Sequence, residues 1–257
     1  MLSRTMAVLL CLALILSAVA ALIPSLPAQA AYTTSVRIVK YAADGSTVLA
    51  ETTVNYTWME ANLPVQGDGV THYWMQGPSF DPDNLWDPDE TVNLKDKGAL
   101  KGTDIKDLLG LVGDASPGDA INIMAEDGYN EDFQYDDIYN PEPEQGKMVL
   151  CWWKDGNYAG SSYADAMQLV PFANTTNASG AYVFGNYDMN QTLPEANWHY
   201  YYSGGIFYPS CNGLSIKYID EISIYTNPTP GWNLSLKGAT NYTMPPVSYT
   251  HLTLPTN

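Results

Sequence analysis

Cys151 and Cys211 carry the most reactive side chains in the part of the chain that follows residue 30. A cysteine can bind a soft metal or attack a substrate as a thiolate, or it can pair with a second cysteine. No histidine lies near Cys151 in sequence to activate it as a nucleophile. In an oxidising compartment an even pair first predicts a disulfide, which for a loop of about 60 residues adds about 4 kcal/mol of stability. Two buried free thiols are the alternative, because spacing alone does not show that the sulfurs meet.

Acidic side chains crowd the loop of residues 78–92, where prolines separate the aspartates. Hard oxygen ligands at short spacing suit calcium, although the spacing and the glycine of an EF-hand are absent. The loop is therefore a candidate calcium site, and a solvated acidic loop is the more common outcome for such a composition. The candidate ligands are Asp81, Asp83, Asp87 and Asp89.

Six N-x-S/T sequons follow the first 30 residues and predict N-linked glycans on exposed turns of a secreted chain. Some sequons arise by chance in a sequence rich in serine and threonine, so we expect only part of them to be used. The candidate sites are Asn55, Asn174, Asn177, Asn190, Asn233 and Asn241.

Aromatic residues cluster in NWHYYYSGGIFYP, residues 197–209. Exposed aromatic rings can stack on sugars, which would make a glycan-binding surface, whereas packing beneath a long loop is the more common outcome. His199 is a candidate metal ligand, but a single histidine among tyrosines more often has a structural hydrogen bond.

The chain has a formal net charge of −17, from 28 acidic and 11 basic residues. A surface of this charge repels nucleic acid and anionic lipid and disfavours anionic substrates. We therefore expect no nucleic-acid partner. Arg37 is the only arginine after residue 30, so the sequence gives no sign of a basic pocket.

Both ends of the sequence are predicted to lie outside the folded domain. Residues 1–30 resemble a secretory signal peptide, with Arg4, an apolar run and the small residues Ala28 and Ala30 around a cleavage site; an uncleaved anchor is the alternative. Residues 31–226 form the predicted domain, and residues 227–246 are a linker and the start of a truncated second domain. Residues 247–257 resemble translated sequencing adapter, which would make the chain a fragment with a missing C-terminal region.

Most of the predicted domain has the pattern of short strands, so we expect a β-rich α+β fold. Residues 35–41 and the alternating residues 48–58 predict a hairpin with a turn at Asp44 and Gly45. Later strand candidates are AINIMA, DFQYDDI, KMVLCWW, MQLVPF, AYVFG and LSIKYIDEISIYT. One helix is predicted over residues 103–111, with Thr103 or Asp104 as its cap and Gly113 at its end.

Several of these motifs, in order, resemble the oxidoreductase molybdopterin-binding domain of the sulfite oxidase superfamily. They are KGTDIKDLLGLVGDASPGDAINIMAEDGYNEDFQYDDI, KMVLCWWKDGNY, MQLVPF and GLSIKYIDEISIY. More closely, YTWMEANLPV, FDPDNLWDPDE and LPEANWHYYYSG are similar to a group of secreted archaeal surface proteins that carry this domain. The resemblance implies a sulfite oxidase-like fold.

The resemblance also implies a test for the cofactor, because members that bind molybdopterin use a cysteine early in the domain as the metal ligand. Residues 31–150 contain no cysteine, and Cys151 would be the ligand only if the cofactor were bound. We therefore expect no cofactor and a non-catalytic, exported cell-surface module with a structural or ligand-binding role. Its partners would be other envelope proteins or glycans, with membrane attachment only through the signal or the missing C-terminal region. The alternatives are a molybdopterin-dependent oxidoreductase and a calcium- or carbohydrate-binding adhesion module.

Overall fold

The computed structural model describes residues 33–160 and 166–227 and confirms a β-rich α+β fold in them. The predicted signal peptide, the segment from residue 228 onward, Asn233 and Asn241 lie outside the described residues. No helix among the described residues is long and apolar enough to cross a membrane.

The first sheet of the described chain has the strand order β2-β1-β14-β6-β7. Its strands are β1 (Ser35–Tyr41), β2 (Val48–Asn55), β6 (Ala120–Ala125), β7 (Asn130–Gln134) and β14 (Ile219–Tyr225). The contact between β1 and β14 is parallel and the others are antiparallel. The predicted hairpin turn is confirmed, because the Asp44 carboxylate accepts hydrogen bonds from the backbone N–H of Ser46 and Thr47.

The second sheet has the order β10-β8-β5-β4-β11, with β3 beside β5 and β9 beside β8. Its strands are β3 (Val65–Gln66), β4 (His72–Gln76), β5 (Leu94–Asp104), β8 (Lys147–Lys154), β9 (Asn157–Tyr158), β10 (Gln168–Phe172) and β11 (Tyr182–Phe184). A separate hairpin pairs β12 (Tyr200–Ser203) with β13 (Ile206–Pro209). The two long strands β5 and β8 lie side by side in the middle of the second sheet.

The helices are short, and side-chain caps set where the first two of them begin. They are α1 (Tyr56–Asn62), α2 (Ile105–Leu109), α3 (Tyr135–Tyr139) and α4 (Asn186–Thr192). The predicted helix is confirmed as α2: the Asp104 carboxylate accepts a hydrogen bond from Lys106 N at 3.0 Å. A 3-10 turn (Gly110–Val112) continues it, and Gly113 ends it with a φ of 90°.

The alternation of β8 explains why the residues between its terminal Lys147 and Lys154 are all apolar. Met148, Leu150 and Trp152 belong to the main core with the buried residues of α2 and of the first sheet. Val149 and Cys151 belong to a second cluster, because successive side chains of a strand point to opposite faces. Burial on both faces is the physical reason for an uninterrupted apolar run.

Three strand predictions were too long. The alternation of residues 48–58 predicts a strand that continues to residue 58, but β2 ends at Asn55. The strand ends there because the Asn55 side chain accepts a hydrogen bond from Trp58 N at 2.9 Å and caps α1. The predicted strand DFQYDDI covers the end of β7 and most of α3. The last predicted strand, LSIKYIDEISIYT, forms β14 only from Ile219 onward.

Candidate functional site

Four lysines converge on one pocket of about 250 Å³, although the chain as a whole is strongly acidic. The pocket lies where the start of β5, the end of β8 and the start of β10 meet the segment between β13 and β14. Its lining residues are Lys95, Asp96, Lys97, Lys154, Gln168, Asn212, Ser215 and Lys217. The sequence argument against a basic pocket was therefore wrong, because it depended on arginine. Arg37 lies elsewhere, on β1, in ion pairs with Glu51 and Glu221.

Three consecutive residues of β5 line this pocket, and the last of them, Lys97, lies in a β-bulge. The register of β5 against β4 shifts between Asp96 and Gly98, so Lys97 is the extra residue of the bulge. In a regular strand successive side chains alternate between the two faces. The bulge breaks this alternation and turns Lys97 inward, where it is only 7% exposed.

Gly98 completes the bulge and leaves room for the fourth strand residue of the pocket, Lys154. Gly98 has a φ of 96°, which glycine adopts without strain. A Cβ at this position would lie 2.7 Å from Lys154 Cε and 2.6 Å from Asp155 Oδ2. The missing side chain therefore allows Lys154 of β8 to lie across β5.

Two polar atoms of the pocket are buried without a hydrogen-bond partner. They are Gln168 Nε2 and Asn212 Oδ1, and Gln168 is only 1% exposed. Buried polar groups in folded proteins are nearly always paired with protein, water or a ligand. Ser215, by contrast, is satisfied, since its hydroxyl donates to the Leu169 carbonyl oxygen at 2.8 Å. Gln168 and Asn212 therefore each leave one hydrogen-bonding atom of a lining residue unsatisfied, a donor and an acceptor.

Asp96 is the one acidic residue among the described residues that line the pocket. Its Oδ1 accepts a hydrogen bond from Gly98 N at 2.7 Å, and its Oδ2 lies 2.9 Å from His72 Nδ1. A carboxylate has about four lone-pair sites, so these contacts leave it able to accept another hydrogen bond. Among the described lining residues, lysines outnumber carboxylates by four to one.

The predicted disulfide is wrong: Cys151 and Cys211 are free, fully buried thiols. Cys151 Sγ lies 3.6 Å from the Val149 carbonyl oxygen, while Cys211 Sγ donates to the Phe184 carbonyl oxygen at 2.9 Å. The two sulfurs belong to different apolar clusters. Burial raises the pKa of both thiols well above the usual range. The structure thus shows the alternative outcome, two buried thiols.

The residues present do not fit a molybdenum cofactor held by Cys151. Such a ligand must be a thiolate that reaches the metal. Burial raises the pKa of Cys151 by more than the nearby Lys97 and Lys154 lower it. The side chain packs with apolar residues of the second sheet and is fully buried. Cys151 is therefore a core residue of β8.

The acidic loop does not gather its carboxylates. Asp81 Oδ1 accepts a hydrogen bond from Asp83 N at 3.0 Å, and Asp87 Oδ1 accepts one from Asp89 N at 3.1 Å. Each pair closes its own local turn. Among the described residues, no group of three or more histidine, cysteine, aspartate or glutamate side chains is placed to hold a metal ion.

The sequons within the described residues differ in their surroundings. Asn55 and Asn174 are exposed, and Asn190 is partly exposed. Asn177 Nδ2, the atom to which a glycan would attach, donates to the Glu90 carbonyl oxygen at 2.8 Å. Glycans on Asn55, Asn174 and Asn190 stay predictions, and a glycan on Asn177 would remove this hydrogen bond.

The aromatic segment forms the β12–β13 hairpin and presents rings to solvent. Tyr201, Tyr202 and Phe207 are 47%, 52% and 50% exposed. His199, just before β12, is half-buried, and its Nδ1 donates to the Ser210 carbonyl oxygen at 3.1 Å. Burial lowers the pKa of His199. The structural interpretation of this histidine is therefore confirmed.

Glu90 and Asp188 form a buried carboxyl pair that the sequence did not indicate. Glu90 Oε1 accepts a hydrogen bond from Asp188 N at 3.0 Å, and Asp188 Oδ2 accepts one from Gly185 N at 3.4 Å. A Cβ on Gly185 would overlap the Glu90 carboxyl group. Burial first, and then the charge of Asp188, raise the pKa of Glu90 to about 9; burial also raises the pKa of Asp188. The pair fixes the end of the acidic loop to the start of α4.

No protein-family model matches this chain, and no curated protein is significantly similar to it. The geometry of the described residues is therefore the basis for any proposal about function.

Proposed function

We propose that this chain is a non-catalytic binding module of an exported cell-surface protein, and that its lysine pocket binds a small anion. The observation that carries the proposal is the convergence of four lysines and an unpartnered amide nitrogen, Gln168 Nε2, in a chain of net charge −17. Each ammonium group carries a positive charge and three N–H donors, so the lysines can attract an anion and donate hydrogen bonds to it. An anion would also accept the hydrogen bond that Gln168 does not make within the protein.

The size of the pocket favours a small ion over a larger organic ligand. Organic ligands generally occupy pockets of roughly 300–1,000 Å³, whereas this one has about 250 Å³. A water molecule takes up about 30 Å³ in the liquid, so the pocket has room for a small oxyanion and a few waters.

The lining residues suit binding better than group transfer. The Ser215 hydroxyl donates to the Leu169 carbonyl oxygen, and Cys151 is fully buried in the second sheet with a raised pKa. Lysine ammonium groups hold an anion as point charges, without the planar fork that arginine offers. These features support a holding site.

Titration calorimetry with sodium phosphate and with sodium sulfate at low ionic strength tests the proposal. We expect at least one of these anions to bind, and Lys217→Gln to weaken that binding by about 10-fold, the effect of about 1.4 kcal/mol. Lys106→Gln is the matched control, because Lys106 is also an exposed lysine but lies at the start of α2, outside the pocket lining. Absence of binding by both anions, or equal losses in the two variants, would contradict the proposal.

The exposed hairpin supports carbohydrate binding as a second candidate function. Tyr201, Tyr202 and Phe207 could stack on sugar rings, as exposed aromatic side chains do. Affinity electrophoresis in gels that contain a polysaccharide should then show retardation of the chain, and Tyr202→Ala should reduce it. Unchanged mobility in every polysaccharide tested would remove this candidate and leave the lysine pocket unaffected.

A further inference from the structure

We infer that the lysine pocket selects an oxyanion that carries a proton, monohydrogen phosphate, over sulfate, which has a similar shape and charge but no proton. This inference rests on the proposed function, since it concerns which anion the same pocket takes.

The donors of the pocket do not distinguish the two anions. Lysine ammonium groups and Gln168 Nε2 can all donate to the oxygens of phosphate or of sulfate. Charge does not distinguish them either, because both are dianions at slightly alkaline pH. Selectivity must come from groups that treat a bare oxygen and a hydroxyl differently.

The acceptors of the pocket are such groups. Asn212 Oδ1 is buried and has no hydrogen-bond partner, and the Asp96 carboxylate lines the same pocket. Asp96 accepts from Gly98 N and lies beside His72 Nδ1, with lone-pair sites left over. Monohydrogen phosphate has an O–H that can donate to either acceptor. Sulfate offers only oxygens, which would leave these acceptors unsatisfied and place Asp96 against an anion.

Asp96 directly precedes the bulge residue Lys97 in β5, and both residues line the pocket. An acceptor therefore lies next to a buried lysine. A pocket built for charge alone would need only the lysines. The Asp96 carboxylate has lone-pair sites left over, so beside the lysines it can accept a hydrogen bond from a hydroxyl group of the anion.

Recognition of a ligand hydroxyl group can produce a large difference in affinity between two similar ligands. Sites that hydrogen-bond a hydroxyl of their ligand reject analogues that lack it by factors of up to about 10⁴, because buried groups lose their partner. Asp96 is partly exposed, with a side chain 38% accessible, so a smaller ratio is expected here. We expect phosphate to bind at least about 10-fold more tightly than sulfate.

Competition between three probes tests the inference: inorganic phosphate, sulfate and methyl phosphate, all by titration calorimetry at about pH 8. Methyl phosphate is a dianion with the phosphate geometry but without an O–H, so it separates the proton from the charge. We expect it to bind as weakly as sulfate. Asp96→Asn replaces an acceptor-only carboxylate by an amide that can donate, and should reduce the ratio of phosphate to sulfate affinity by about 10-fold.

Asp89→Asn is the matched control, because it removes the same charge from the exposed acidic loop, outside the pocket lining. It should leave the ratio unchanged. Equal affinity for the three probes, or a ratio that Asp96→Asn does not change, would overturn this inference while the proposed function stands. Absence of binding by every probe would overturn both.

Discussion

Replacing Glu90 by glutamine is expected to make the stability of this protein less dependent on pH. Glu90 is 3% exposed, and its Oε1 accepts a hydrogen bond from Asp188 N at 3.0 Å. Glutamine keeps an oxygen that can accept this bond, and its NH₂ group can donate to the Asp188 carboxylate. The substitution therefore keeps the geometry of a protonated pair and removes the proton that the pair must hold.

The sign of the effect follows from the direction of the pKa shifts. Burial and the neighbouring charge raise the pKa of Glu90 to about 9 in the folded state, against 4.5 for an ordinary glutamate. A carboxyl group whose pKa is raised in the folded state contributes its full stabilisation at pH values below its ordinary pKa. That contribution is lost as the pH rises towards its pKa in the folded state. Each proton changes the free energy of unfolding by about 1.4 kcal/mol per pH unit in this window. Between about pH 5 and pH 7 the wild type should lose roughly 2.7 kcal/mol through this pair.

Urea denaturation measured across this pH range gives the comparison. Trp86 and Trp198 lie 5.1 Å apart and pack against the apolar cluster beneath α4, so tryptophan fluorescence reports on this region. Glu90→Gln should match the wild type near pH 5 and exceed its stability near pH 7 by about 2–3 kcal/mol. Asp89→Asn, the exposed neighbour, controls for the change in net charge. Parallel stability curves for the wild type and Glu90→Gln would refute the assignment of a shared buried proton.

Three further outcomes are expected. Asp104→Ala removes the cap of α2 and should lower the free energy of unfolding by about 1 kcal/mol in urea denaturation; an unchanged midpoint would contradict the cap. Cys151 and Cys211 should both react with a thiol reagent in denaturant without reductant and neither should react in the folded state; absence of reaction in denaturant would show a disulfide. Gly185→Ala should destabilise the protein by roughly 1–3 kcal/mol, because its Cβ overlaps the Glu90 carboxyl group. That cost should shrink in a Glu90→Ala background, and equal costs in both backgrounds would show that the overlap is relieved elsewhere.

Local signals in the sequence were enough to predict much of the fold. The apolar run of β8 and the turn at Asp44 and Gly45 each depend on residues close in sequence. The same holds for α2, whose cap Asp104 and end Gly113 are both part of the local pattern. The strand predicted over residues 48–58 was too long because a helix cap competes with the strand pattern: Asn55 caps α1 and ends β2 three residues before the alternation stops.

The candidate site could not be predicted in the same way, because it combines residues from distant parts of the chain. Lys95 and Lys217 are more than a hundred residues apart in sequence and meet only through the order of the strands. One local signal was available, since lysines at positions 95 and 97 flank an aspartate in front of Gly98. An isolated glycine inside a strand pattern often marks a bulge, but the sequence argument considered only arginine as a source of a basic pocket. Glu90 and Asp188 likewise meet only when the acidic loop packs onto α4.

The lysine pocket and the carboxyl pair have opposite effects on the pKa of one buried side chain, Cys211. Burial is the main cause of the raised pKa of the Cys211 thiol; the charges of Glu90 and Asp188 add to this rise, and the charge of Lys97 opposes it. A shared proton leaves one negative charge in the pair, and its loss at high pH would leave two. Sulfate has the same charge throughout this range, so its affinity for the pocket should fall as pH rises through the titration of the pair. Glu90→Gln should flatten that fall in a calorimetric pH series, because its pair cannot gain the second charge; an identical fall in both proteins would show that the pair does not influence the pocket.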